Sequence, residues 1–182
     1  MTLKALLLTQ LLAAAALAQG KPTLIDYPLD VKTAVSDAVI GELQDDLRQQ
    51  LARNPGLLVP TKSSWKAAVA ALKRNDCEVR NECLQQLAVS AGVLYAMYTS
   101  LERNTAGDVT ATGRVVNQDG LLVRAPESVQ VAKKATFQEA ARDALTQLLA
   151  KLKLETLSPV LAKAPVEEPK GKETIVVMRA TP

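Results

Sequence analysis

Between Val93 and Val131 the chain carries three runs rich in Val, Tyr, Thr and Leu: "VLYAMYTSLE", "DVTATGRVV" and "GLLVRAPESVQV". Turn chemistry separates them. "RNTAGD" supplies Asn104 and Gly107, and "NQDG" supplies Asp119 and Gly120, the residue types that tolerate the backbone angles of hairpin turns. Strands joined by so few residues run antiparallel, so the spacing predicts a three-stranded meander. This constrains the rest of the chain, because a small sheet needs helices to bury its apolar side.

The helices are legible from periodicity. From about Lys32, Val35, Val39, Leu43, Leu47 and Leu51 recur every four residues and line one face, while Asp45, Asp46, Arg48 and Gln49 fall largely elsewhere. "NPG", Asn54–Gly56, stops that helix. "LLVP", closed by Pro60, predicts a brief buried strand. A second helix is expected with Ser63 or Ser64 as its cap and Trp65, Ala68, Val69 and Leu72 inward. A third is expected to be capped by Asn81, to bury Cys83, Leu84, Leu87, Ala88 and Ala91, and to end at Gly92. In the fourth, Thr136 and Glu139 form a capping box, and Phe137, Ala140, Ala141, Ala144, Leu145, Leu148 and Leu152 face inward. Upstream, "KPTLIDYPLD" reads as a loop with a short edge strand. The fold class is therefore α+β: a three- to five-stranded, mostly antiparallel sheet packed with about four helices and carrying one disulfide.

Composition bounds what such a fold could do. Aromatics are 3% of 182 residues, so the core must be aliphatic and alanine-rich. The net charge of +3 gives no field suited to nucleic acid, and no nucleic-acid partner is expected. Residues 1–18 read as a signal peptide: Lys4, an uncharged apolar run, then Ala16-Leu17-Ala18, with cleavage between Ala18 and Gln19 expected and an uncleaved helical anchor as the alternative. Neither this run nor any later segment is long enough for a transmembrane span, so after cleavage the chain is expected to be soluble in the periplasm or outside the cell. Residues 19–157 are expected to form the α+β domain, followed by a Pro/Lys/Glu-rich tail over 158–182. That tail holds Thr174, Ile175, Val176, Val177 and Met178, a strand-like run expected to dock on its own domain or on a partner's sheet edge.

Catalytic arrangements are scarce. The chain has no histidine, which excludes Ser-His-Asp and Cys-His sites and histidine-ligated metals. Ser63-Ser64-Trp65-Lys66 has the S-x-x-K spacing of serine–lysine cell-wall enzymes, but the companion S-D-N and K-T-G elements are missing. The adjacent carboxylates Asp45-Asp46 and Glu167-Glu168 read as solvated surface, and Lys133-Lys134 as a wet patch. No glycine-rich phosphate loop occurs. Catalytic residues, cofactors and metals are therefore expected to be none.

The only cysteines, Cys77 and Cys83, lie in "NDCEVRNECLQQL". Two thiols without imidazole are too few for a structural zinc site, and their spacing is not that of a C-x-x-C redox pair. In an exported chain they most simply form one disulfide, expected to hold the second helix to the third, with free thiols and redox exchange as the alternatives.

The order of these elements adds a resemblance. A strand-like start, a long helix, "LLVP", a helix with "AALK", then "C-x5-CL" leading through "LAVSAGVLYAMYTSLE" to the "NQDG" meander and a closing "FQEAARDALTQLL" helix resembles TolB amino-terminal-like and curli-transport-like domains. It covers roughly residues 22 to 153. It departs in "TLIDYPLD", where Pro28 breaks the first strand. The resemblance implies a periplasmic α+β module of bacterial envelope proteins with no active site. The expected function is a non-catalytic interaction or assembly module that binds another envelope protein or a cell-wall component. The alternatives are a small serine–lysine cell-wall hydrolase using Ser63 and Lys66, and a regulatory protein that acts through residues 174–178.

Overall fold

The computed structural model describes residues 20–72 and 76–159, so the leader 1–18, the 18/19 cleavage point and the 174–178 run lie outside the described residues. The meander is present as β3 (Tyr95–Arg103), β4 (Val109–Asn117) and β5 (Leu122–Val131), preceded by β1 (Leu24–Asp26) and β2 (Asp30–Val31). β3 pairs antiparallel with β4 from Tyr95↔Asn117 to Arg103↔Val109, and β4 pairs antiparallel with β5. β1 and β2 pair in parallel with successive stretches of the far edge of β3, completing a five-stranded sheet. Four helices complete the α+β fold: α1 (Asp37–Arg53), α2 (Lys62–Ala70), α3 (Asn81–Ala91) and α4 (Phe137–Leu152).

Alternation along the strands sends side chains to two cores. Met97, Leu101, Ala111 and Val115 meet Leu43, Leu47 and Leu51 of α1 and Leu145, Leu148 and Leu152 of α4 on one face. Ile25, Ala96, Tyr98 and Val116 meet Ala68 of α2 and Cys83, Leu84 and Leu87 of α3 on the other. The absence of a side chain at Gly113 lets α4 lie close to β4, since a Cβ there would sit 3.0 Å from Leu148 Cδ2. Within the first core Thr99 Oγ1 is buried with no hydrogen-bond partner. An unsatisfied buried hydroxyl costs about 1–3 kcal/mol. Thr99→Val is accordingly expected to raise the urea midpoint by the equivalent of about 1 kcal/mol; a lowered midpoint would count against it.

Several local expectations hold, and several change. The Thr136–Glu139 capping box forms, and Gly92 ends α3 at φ 65°. Helix α1 starts at Asp37 with Ser36 as its cap, not near Lys32, because Lys32 N–H donates to Leu101 O and Thr33 Oγ1 accepts from Arg103 N, prolonging the edge pairing. Thr61, not Ser63 or Ser64, caps α2, accepting from Ser64 N. Asn81 is the first residue of α3 and not its cap. "LLVP" forms only an isolated Thr23↔Leu58 bridge, closing the outer side of β1 through Leu24 N to Leu58 O and Leu58 N to Pro22 O. Asn117 organises the "NQDG" turn, its Oδ1 accepting from Asp119 N and Leu121 N.

Candidate interaction site

Cys77 and Cys83 form a disulfide, with Cα atoms 4.8 Å apart. It does not join α2 to α3 as expected. Cys77 lies in the turn Cys77–Val79, immediately before α3, and Cys83 lies in the first turn of that helix, so the bond folds the turn onto its own helix. Val79 N and Arg80 N both donate to Asp76 O, which tightens the same loop.

Arg114 of β4 fastens this loop to the sheet. Its guanidinium donates to Cys77 O at 2.5 Å, Glu78 O at 2.6 Å and Asn81 Oδ1 at 3.2 Å, and lies 4.9 Å from the centre of the Tyr98 ring. Burial lowers the Arg114 pKa, and the neighbouring Tyr98 and Glu78 oppose that shift. Tyr98 donates its hydroxyl to Asp30 Oδ2 at 2.5 Å; burial first, then Asp30, pushes the phenol up. Lys32 pairs with Glu78, an exposed contact that raises the lysine pKa. Loop, β2, β3 and β4 are thus bonded into one unit. From it Val79 projects with 76% of its surface exposed.

Beside the loop the sheet presents polar side chains. Thr110 and Thr112 share the face of Arg114 at two-residue spacing, and the register sets Ser100, Thr112 and Ser128 in one row and Glu102, Thr110 and Gln130 in the next. Thr112 and Ser128 hydroxyls lie 2.8 Å apart, and Gln130 donates to Asp108. Glu102, Ser128 and Gln130 are exposed. Chemically this face offers hydroxyls, an amide and a carboxylate around a fixed apolar knob, a set suited to recognition.

The other concentration of charge is internal. Asp26, fully buried, accepts from Arg48 Nη1 at 2.6 Å and Gln44 Nε2 at 2.6 Å, while its backbone oxygen accepts from Trp65 Nε1 at 2.7 Å. Arg48 also donates to Pro60 O and stacks 4.9 Å from the Trp65 ring centre. Burial raises the Asp26 pKa to about 6, against the lowering pull of Arg48 and its hydrogen bonds. A cleft of about 350 Å³ beside it is lined by Asp45, Arg48, Pro60 and Lys62. Asp26 thereby ties β1 to α1 and α2, and Arg48 ties α1 to the Pro60 loop and to α2.

The remaining candidates from the sequence are dispersed. Ser63 Oγ is exposed and lies 3.0 Å from Thr61 Oγ1, with no bond to Lys66 among the described residues. Asp45 pairs with Lys62, Asp46 with Arg142, and Lys134 with Asp143. Among the described residues no group of three His, Cys, Asp or Glu side chains could hold a metal ion, and no helix is long and apolar enough to cross a membrane. Sequence reasoning missed Arg114, Tyr98, Asp26 and Arg48. The one available signal was the pair Gln44 and Arg48, spaced i, i+4 beside the leucine stripe of α1.

No protein-family model and no curated protein matches the chain. The fold is similar to the LpoB C-terminal domain from Salmonella enterica, at 13% identity over 63% of this chain and 84% of that one with a TM-score of 0.47. It is similar to the lipoprotein GNA1162 from Neisseria meningitidis, at 14% identity over 70% and 96% with a TM-score of 0.45. It is also similar to PelC from Paraburkholderia phytofirmans, at 12% identity over 74% and 89% with a TM-score of 0.46. At these values the likenesses carry no inference about function.

Proposed function

We propose that this chain is a non-catalytic interaction or assembly module of the bacterial cell envelope, of the TolB amino-terminal-like or curli-transport-like kind. It is exported by the leader 1–18, begins at Gln19 after cleavage, and works in the periplasm, where it binds another envelope protein or a cell-wall component. The loop Asp76–Arg80 and the polar rows beside it make the contact. One observation carries this reading: two loop carbonyls are held by a half-buried arginine and the loop is closed by a disulfide, yet its central apolar side chain, Val79, is left in solvent. Preorganising a loop removes ordering costs at binding, and an exposed apolar side chain on a rigid support suits an interface anchor. The disulfide itself supports an oxidising compartment.

The test is a photo-crosslinking residue placed at position 79, followed by recovery of conjugates from whole envelope. A discrete conjugate is expected, and in a separate affinity capture with the crosslinker-free chain Val79→Asp is expected to reduce recovery of the same partner about tenfold, a loss of about 1.4 kcal/mol, without moving the melting temperature. Equal recovery from the aspartate variant overturns the assignment of the loop.

A further inference from the structure

We infer that residues 174–178, "TIVVM", dock as a strand on the first part of the β5 edge, Leu122–Arg124, covering an apolar surface at that end of the same chain. This rests on a different surface from the loop above. Leu121 and Leu122 are 60% and 45% exposed at the start of β5. Gln85 of α3 sits against Gly120 of the preceding turn, its Oε1 3.3 Å from where a Cβ would be. Val89, one turn further along α3 on the same side, is 59% exposed. Three large apolar side chains are therefore left in water where α3 meets the β4–β5 hairpin.

The chain leaves the described residues at this end. Arg124 of β5 donates to Leu152 O at 3.1 Å and bonds Thr156 Oγ1, and Ser158 O accepts from the hydroxyl of Tyr95, which pairs with Asn117 at the base of the hairpin. From Pro159 to Thr174 there are fourteen intervening residues. Extended at roughly 3.1 Å each they reach about 43 Å, more than the roughly 33 Å length of β5 at about 3.3 Å per residue. Reach therefore does not select a position, but the state of the edge does. The register slips at Val123, between the pairs Val116↔Leu122 and Val115↔Arg124, and again beyond Arg124, where Ala125 and Pro126 face Arg114; there Lys151 also donates to Ser128 O at 3.1 Å while pairing with Glu127 at 3.0 Å. Proline and a lysine are devices that close a sheet edge to pairing, and both lie beyond Arg124. In the first part Val123 O accepts from Arg124 Nη1 at 2.9 Å, a side-chain contact that a docked strand replaces. Ile175 and Val177 then share one side of the added strand, and Thr174, Val176 and Met178 the other, so either face covers apolar surface.

Amide hydrogen exchange on the full chain tests this. Deleting 173–182, or replacing Ile175 and Val177 together by Asp, is expected to accelerate exchange at Leu121–Arg124 by about tenfold or more while Tyr95–Leu101 in central β3 stays unchanged. A photo-crosslinker at Val176 is expected to give an intrachain link to the peptide holding Leu121–Arg124 in the monomeric fraction. Unchanged exchange in both variants overturns the inference. So does a Val176 link found only to a second copy or only to another protein. Loss of protection throughout β3 in the deletion, but not in the double aspartate variant, leaves the latter as the deciding result. The position-79 assay is separate, so either proposal can fail alone.

Discussion

Replacing Arg48 by Ala is expected to destabilise the protein by about 3–5 kcal/mol, the usual cost of stranding one member of a buried ion pair. Asp26 is fully buried and keeps only Gln44 as a side-chain donor once Arg48 is gone, while Pro60 O and the Trp65 face also lose their partner. The pair Asp26→Leu with Arg48→Met is expected to recover most of the loss, because removing both charges removes both desolvation penalties. Urea unfolding of the two single variants and the double variant checks this. If Arg48→Ala costs under about 1 kcal/mol, the network is not the tie between β1 and α1 that its geometry indicates.

The same carboxyl has a pH signature. Its folded-state pKa is about 6 against an ordinary 3.8, so between those values the folded chain binds more protons than the unfolded one. Stability therefore falls as pH rises through this window: the contribution of Asp26 is fully present below about 3.8 and lost above about 6. The shift of roughly two units corresponds to a difference on the order of 3 kcal/mol. Asp26→Asn is expected to flatten this part of the profile, and an identical slope in that variant would show that another group titrates there.

The second large effect concerns the loop. Replacing Cys77 and Cys83 by Ala is expected to cost about 2–3 kcal/mol, since the bond closes a short loop of sequence separation 6. Arg114→Ala is expected to cost a similar amount, because two backbone carbonyls and Asn81 lose their donor and the Tyr98 ring loses its cation. Both act on one loop, so their effects are coupled. The triple variant is expected to be less destabilised than the sum by more than about 0.5 kcal/mol, measured as a double-mutant cycle. Strict additivity would mean that the arginine and the disulfide support different structures. Reduction of the disulfide alone is expected to leave Arg114 holding the loop, so Val79-dependent capture should weaken less than in the Arg114→Ala variant.

Elements whose physics is local could be read in advance. The α4 capping box, the glycine end of α3 and the two hairpins depend on residues within a few positions of one another, and each lies where spacing placed it. Misplacements arose where a distant strand intervened. Lys32 looks like a helix residue beside Val35 and Val39, but the free edge of β3 claims its N–H for Leu101. Arg48 looks like a surface residue of α1, yet it is drawn inside because β1 carries an acid at position 26 and the chain returns at Pro60. Arg114 alternates correctly with Thr112 and Val116, but nothing local says that carbonyls 36 and 37 residues earlier will meet its guanidinium.

The sequence by itself determined the class of fold, the helical faces and the meander, because each follows from periodicity or turn stereochemistry, and it favoured a disulfide between the only two cysteines over free thiols or redox exchange. Only the tertiary structure decided that the disulfide braces a loop against its own helix, and that Arg114, Tyr98 and Lys32 from three different strands or their ends converge there. The reason is physical: a buried or half-buried charge is stable only where partners far apart in the chain supply its hydrogen bonds, and those partners are chosen by strand register and helix packing.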